Sequence, residues 1–195
     1  TYHCWKEKGH GTMNLRNAIK QSCDIYFYET ARKLGVDRLN LTALKFGLGE
    51  QVLNGTLANE KKGLVPSTKW KKENLGSGWV LGETLITGIG QGYVQTTPLQ
   101  LCLMTAQLAN GGFKIYPRIT VDDNQESLEN IKYKMSQNAF KQEEKEYNSP
   151  IRKVEKFLNI GEKKYLPLYR NPENVKFVLE AMFASTNEVM GTSYG

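Results

Sequence analysis

Residues 14–35, NLRNAIKQSCDIYFYETARKLG, change hydrophobic phase in the middle. Leu15, Ala18, Ile19 and Ser22 fall at helical spacing, but the same stripe carried onward meets Glu29, Arg32 and Lys33. The second half follows a different face, Asp24, Phe27, Tyr28, Ala31 and Leu34, and stops at Gly35, the residue type that most readily closes a helix. The pattern predicts two helices that meet at Ser22-Cys23-Asp24. A break carrying a hydroxyl, a thiol and a carboxylate is a candidate site. A bland account also exists: Asp24 caps the second helix and Ser22 bonds backbone groups that the break leaves open.

Upstream, Asn14 is a good N-cap for the first helix. Downstream, Asp37 is expected to cap a short helix with Leu39, Leu44 and Phe46 on its apolar side, ended by Gly-Leu-Gly. Residues 50–88 lack sustained periodicity and read as loop with short extended pieces. The clearest helix starts with Thr97 as cap and Pro98 in the first turn, and carries Leu99, Leu103, Ala106 and Leu108 to the stop at Asn-Gly-Gly. Residues 119–170 turn charged and poor in branched apolar side chains, which marks a surface excursion. Residues 171–195 resume as an amphipathic helix, capped by Asn171, with Val175, Val178, Leu179, Met182 and Phe183 expected to face inward.

With 195 residues and 39% hydrophobic content the chain has the material for one domain and a core. Its charge of +6 is dispersed, and its aromatics are not interleaved with Lys and Arg, so nucleic acid is not an expected partner. The low-charge runs are too short or too punctuated by Gly and Pro to span a bilayer. The ends, Thr1 and GTSYG, read as cut from something longer. Cys4, Cys23 and Cys102 are an odd number, which argues against a simple disulfide framework. Cys102, inside an apolar helix, is expected to be core.

A Ser-x-Asp or Ser-x-Asn triplet between two helices resembles the second of the three motifs of the penicillin-binding serine acyltransferases. The stretches CWKEKGHGTMNLRNAIKQSCDIYFYETARKLGVDRL, FGLGE, GLVPSTKWK, GETLITGIGQGYVQTTPLQL and LANGG stand in the order and approximate spacing of a class B penicillin-binding protein of the cell-elongation branch. The resemblance covers residues 1–118 well and 171–195 more loosely. It implies an α+β parent fold, the penicillin-binding protein transpeptidase fold shared with serine β-lactamases, of which this chain is a mostly helical part with the sheet largely missing. The implied activity is D,D-transpeptidation: acyl transfer from the D-Ala-D-Ala end of peptidoglycan stem peptides, with β-lactams as inhibitors. Implied too are an inner-membrane enzyme facing the periplasm and elongation-complex partners such as a glycosyltransferase.

Two motifs of that family, S-x-x-K and K-T-G, are absent from the chain, and GTSYG lacks the lysine of the latter. The chain alone is therefore expected to be inactive. By the resemblance, the missing serine attacks the substrate carbonyl and the missing lysine is its base, while Ser22, donor and acceptor at once, passes a proton toward the leaving amine. Asp24 stands where many relatives carry Asn and would hold that lysine by hydrogen bonds. A zinc-stabilised, degenerate and non-catalytic scaffold of the elongation complex is the alternative.

Cys4, His10 and Cys23 have no standard finger spacing, yet paired thiols in an exported protein need a partner or a metal. By the resemblance they are zinc ligands, Cys4 replacing an aspartate, with the fourth ligand before residue 1 or at His3. A Cys4–Cys23 disulfide is the competing expectation. GIGQGY, residues 88–93, is expected to serve close backbone approach at the wall of the site, with Gln91 and Tyr93 as candidate substrate contacts. Trp5, Trp70 and Trp79 are expected to pack.

Overall fold

The structure is a computed structural model and describes residues 2–53, 56–118, 158–160 and 163–194. Helix α1 (Leu15–Lys20) begins where Asn14 accepts a hydrogen bond from the Asn17 amide, and α2 (Asp24–Leu34) follows after three residues. Gly35, at φ 77°, both closes α2 and precedes α3 (Val36–Lys45). The turn is too tight for Asp37 to lie outside the helix as the expected cap. It sits in the first turn instead, and its carboxylate accepts from the backbone and hydroxyl of Thr68, which ties α3 to the next helix.

That next helix corrects a second expectation. Residues 50–88 are mostly loop as expected, but the regular pieces within them are two short helices, α4 (Thr68–Leu75) and α5 (Leu81–Thr87), and not extended segments. At eight and seven residues both are shorter than the window in which helical periodicity becomes visible. The ends of α4 are set locally, by the Ser67 side chain, which accepts from the Trp70 amide, and by Gly76 at φ 64°. Between them Lys71 is buried against Glu83 as an ion pair, with its ammonium 5.8 Å from the centre of the Trp79 ring. Burial pushes the Glu83 carboxyl up, but Lys71, the Val80 amide and Tyr93 outweigh that, and its pKa is lowered on balance.

Helix α6 (Pro98–Ala109) has the predicted Thr97 cap and ends at Asn110. It anchors the apolar cluster of Val52, Leu53 and Leu103, with Leu99 and Ile115 against it. Two glutamines on the same face are buried, and the amide oxygen and nitrogen of each make hydrogen bonds. Gln100 donates to the carbonyls of Glu50 and Lys62, and Gln107 donates to that of Phe46, so α6 fastens the loops around it by polar contacts as well as packing. Cys102 points away from this face and is exposed, contrary to the core role expected of it.

Strands β1 (Leu158–Ile160) and β2 (Lys163–Tyr165) pair antiparallel, and Phe113 bridges to Pro167, which leads the chain into α7 (Pro172–Asn187). Most of the stretch expected to be a charged excursion, 119–157, lies outside the described residues. In α7 the inward face is narrower than expected. Val175, Ala181 and Ala184 are buried, whereas Phe183 is 64% exposed and Met182 is exposed as well. The small alanines let α7 lie close along α1, and the bulky side chains turn outward. That α1–α7 contact places the end of the chain beside the break between α1 and α2.

Candidate active site at the helix break

The break is a helix C-terminus with one unusual member. The Cys23 amide donates to the Ala18 carbonyl and the Ser22 amide to that of Ile19, the paired bonds of a Schellman motif. In that motif the residue at the position of Ser22 adopts the left-handed conformation, usually as glycine. Ser22 does so with a side chain, at φ 51°. The geometry turns successive side chains to different sides: Ser22 is exposed, Cys23 is buried and Asp24 is half-buried. Ser22 and Asp24, with Ile19, Phe27, Gly88 and Ile89, line a depression of about 310 Å³. The wall opposite α2 is close because Gly88 has no side chain: a Cβ there would come 2.4 Å from the Cβ of Ala31. The close approach expected of GIGQGY is located at this glycine.

Asp24 does not cap α2. Cys23 occupies the cap position without a side-chain bond, and Asp24 lies in the first turn, where a carboxylate suits the positive end of the helix dipole. Its Oδ2 instead accepts from the backbone amide of Trp5 at 3.0 Å, and the indole Nε1 of the same tryptophan donates to the Ser22 carbonyl at 2.8 Å. Trp5 therefore bridges both ends of the break, although its ring is 59% exposed. Sequence reasoning missed this role, since the only signal was adjacency to Cys4. Thr192 was missed as well: its Oγ1 lies 2.9 Å from Ser22 Oγ, across 170 residues of sequence.

Behind the break, one ligand-type atom each of Cys4, His10 and Cys23 lies within 4.8 Å of the others. Cys4 Sγ is 3.3 Å from His10 Nδ1, and the other ring nitrogen, Nε2, is buried without a hydrogen-bond partner. Trp5 packs edge-on against the same imidazole, with 5.4 Å between ring centres. All three cysteines are free thiols. Burial pushes the Cys23 thiol up, despite backbone amides at the start of α2 that favour the thiolate. Two sulfurs and an imidazole at this spacing suit a tetrahedral zinc ion, whose ligand atoms stand about 3.5–4 Å apart.

Gln91 and Tyr93 are not among the residues lining the depression. The Tyr93 ring packs on Trp70 and Trp79, and its hydroxyl donates to Glu83 at 3.4 Å, so it belongs to the Lys71 cluster. Trp70 and Trp79 pack as expected; Trp5 packs on His10 but stays largely exposed.

The family model of the penicillin binding protein transpeptidase domain matches residues 1–157. The peptidoglycan D,D-transpeptidase MrdA of Acinetobacter baumannii is 42% identical over 115 residues, 59% of this chain and 17% of that protein. Among solved structures, PBP2 of Pseudomonas aeruginosa in complex with WCK 5153 matches 98% of this chain and 36% of that one, at 34% identity and a TM-score of 0.72. PBP2 of Helicobacter pylori in complex with MreC matches 99% of this chain and 29% of that one, at 26% identity and the same TM-score. The chain thus spans less than a fifth of the curated relative and about a third of each of these structures.

Proposed function

Because the chain belongs to the penicillin-binding protein transpeptidase family, we propose that it is the central part of a transpeptidase domain and carries the second catalytic motif of a peptidoglycan D,D-transpeptidase of cell elongation. The observation that carries this reading is the state of Ser22. A non-glycine residue at φ 51° costs about 1 kcal/mol, and what the chain gains for that cost is a hydroxyl on the rim of the depression. A purely structural C-terminus would be served better by glycine.

In the proposed reaction a serine from the S-x-x-K motif attacks the penultimate D-Ala carbonyl, and its lysine takes the hydroxyl proton. Ser22 gives a proton to the departing D-Ala nitrogen and accepts one in return, which a hydroxyl does without changing charge. Asp24, with Oδ2 held by the Trp5 amide, offers Oδ1 to the lysine ammonium. A full negative charge favours the charged lysine more than a neutral amide does, and so raises the lysine's pKa relative to an Asn-bearing relative.

Cys4, His10 and Cys23 would hold a structural zinc ion, with the fourth position taken by a further side chain or water. A zinc ion there would stabilise the thiolate of Cys23 against the cost of its burial and would fix the break from its inner side. The substrate class is D-Ala-D-Ala stem peptides, with β-lactams as acylating inhibitors. The complex of the H. pylori relative with MreC supports MreC as a partner class, and a glycosyltransferase of the elongation machinery is the expected second partner. The proposed setting is the inner membrane with this domain in the periplasm; no helix among the described residues is long and apolar enough to cross a membrane.

Covalent labelling of the full-length protein by a fluorescent penicillin tests the reading. Labelling is expected, and Ser22→Ala is expected to slow it at least tenfold while leaving the fold intact. A full-length protein that takes no label is a scaffold and not a transpeptidase.

A further inference from the structure

Ser22 belongs to a chain of three hydroxyls. Its Oγ lies 2.9 Å from Thr192 Oγ1, and Thr192 Oγ1 lies 3.2 Å from Ser185 Oγ in the last turns of α7. The turn that carries Thr192 is fastened by contacts that do not involve the hydroxyl. The Thr192 amide donates to the Lys20 carbonyl and the Ser193 amide to that of Ser185. Glu188 pairs with both Arg16 and Lys20, and Gly191 is pressed so close to α7 that a Cβ would come 2.2 Å from the Ser185 carbonyl oxygen. Thr192 is thus held against the catalytic break before its hydroxyl makes any bond.

Each hydroxyl has one proton to give, so the chain has a direction. If Ser22 donates to Thr192, its proton is occupied and it can only accept from the groove. If Thr192 donates to Ser22, the Ser22 proton is left for the groove, which is what protonation of a leaving amine requires. The other acceptors within reach of the Thr192 proton are Ser185 Oγ at 3.2 Å and the Lys20 carbonyl at 3.4 Å, both longer contacts than the 2.9 Å one to Ser22. Ser185, at 3.2 Å, supplies the donor that Thr192 can accept in turn.

Resting on the transpeptidase reading above, we propose that Thr192 is a positioning residue for Ser22: it accepts from Ser185, donates to Ser22 Oγ, and so keeps the Ser22 proton directed into the groove. The role needs a hydroxyl at position 192 and not merely a β-branched shape. It acts on the chemical step, since Thr192 is not among the residues lining the depression.

The test uses the full-length protein and the kinetics of acylation by a fluorescent penicillin, resolved into the affinity of the initial complex and the acylation rate constant. Thr192→Val, which keeps the shape and loses the hydroxyl, is expected to lower the rate constant about tenfold, the loss of one hydrogen bond, with affinity changed less than about twofold. Thr192→Ser is expected to restore most of the rate. Ser185→Ala, which reaches Ser22 only through Thr192, is expected to lower it by about threefold. A wild-type rate in Thr192→Val, or an equal loss in Thr192→Ser, overturns the proposal. If Thr192→Val does not fold, Ser185→Ala at wild-type rate overturns it. Wild-type protein that takes no label defeats the transpeptidase reading itself, and this inference with it, whereas labelled wild type with an unaffected Thr192→Val defeats this inference alone.

Discussion

At position 22 two requirements compete for one residue. The Schellman turn favours glycine, which adopts φ 51° without steric cost, and the proposed acyl transfer favours a hydroxyl. Ser22→Gly separates them in a way that Ser22→Ala does not, because alanine keeps the strain. The glycine variant is expected to melt at or above the wild-type temperature, by up to about 1 kcal/mol of relieved strain, while penicillin acylation falls at least tenfold. Destabilisation by Ser22→Gly would mean that the hydroxyl is held there for its bond to Thr192 and not for chemistry. Trp5 shows the same separation of roles. Its exposed ring contributes little burial, but its two nitrogens fix the Ser22 carbonyl and the Asp24 carboxylate.

Among the elements, the segment before α1 and the break after it are joined through Cys4, His10 and Cys23, whose buried His10 Nε2 lacks a partner. If zinc holds them, stripping it with a strong chelator should lower the melting temperature by several degrees and expose Cys23 to thiol reagents, and readdition of zinc should reverse both. Full-length protein that contains no zinc and resists thiol reagents unchanged would reject the metal. The order of the helices around this cluster was legible in sequence because the caps and stops are local: Asn14, Gly35, Thr97 and Asn171 each act within one turn. The helices α4 and α5 were not, since seven or eight residues complete barely two turns and their stability comes from the Lys71–Glu83 pair and from packing. The inward face of α7 was misjudged for a related reason: hydrophobicity ranks Phe183 above Ala184, but close approach to α1 selects the smaller residue.

Across the whole molecule, the candidate site is completed by residues that sequence spacing cannot bring together. The triplet 22–24 announces itself, whereas Thr192 and Glu188 reach it from about 170 residues away, through a contact between α1 and α7 that only the fold creates. Glu188 is the electrostatic part of that contact. Hydrogen bonds from Arg16 and then Lys20 hold its carboxyl down to about 2, against an ordinary value of 4.5. A carboxyl depressed in the folded state stabilises fully above its unfolded pKa, and that stabilisation is lost as pH falls from about 4.5 toward 2. Arg16 and Glu188 are more than a third exposed, so salt should weaken the effect. Melting curves of wild type and Glu188→Gln should therefore differ at neutral pH, with wild type the more stable, and converge as the pH approaches 2. Because Glu188 grips the helix that leads into Ser22, acylation in Glu188→Gln should fall together with stability at neutral pH. A stability difference independent of pH would show that the amide disturbs packing and that the charge contributes nothing to holding α7 on the helix break.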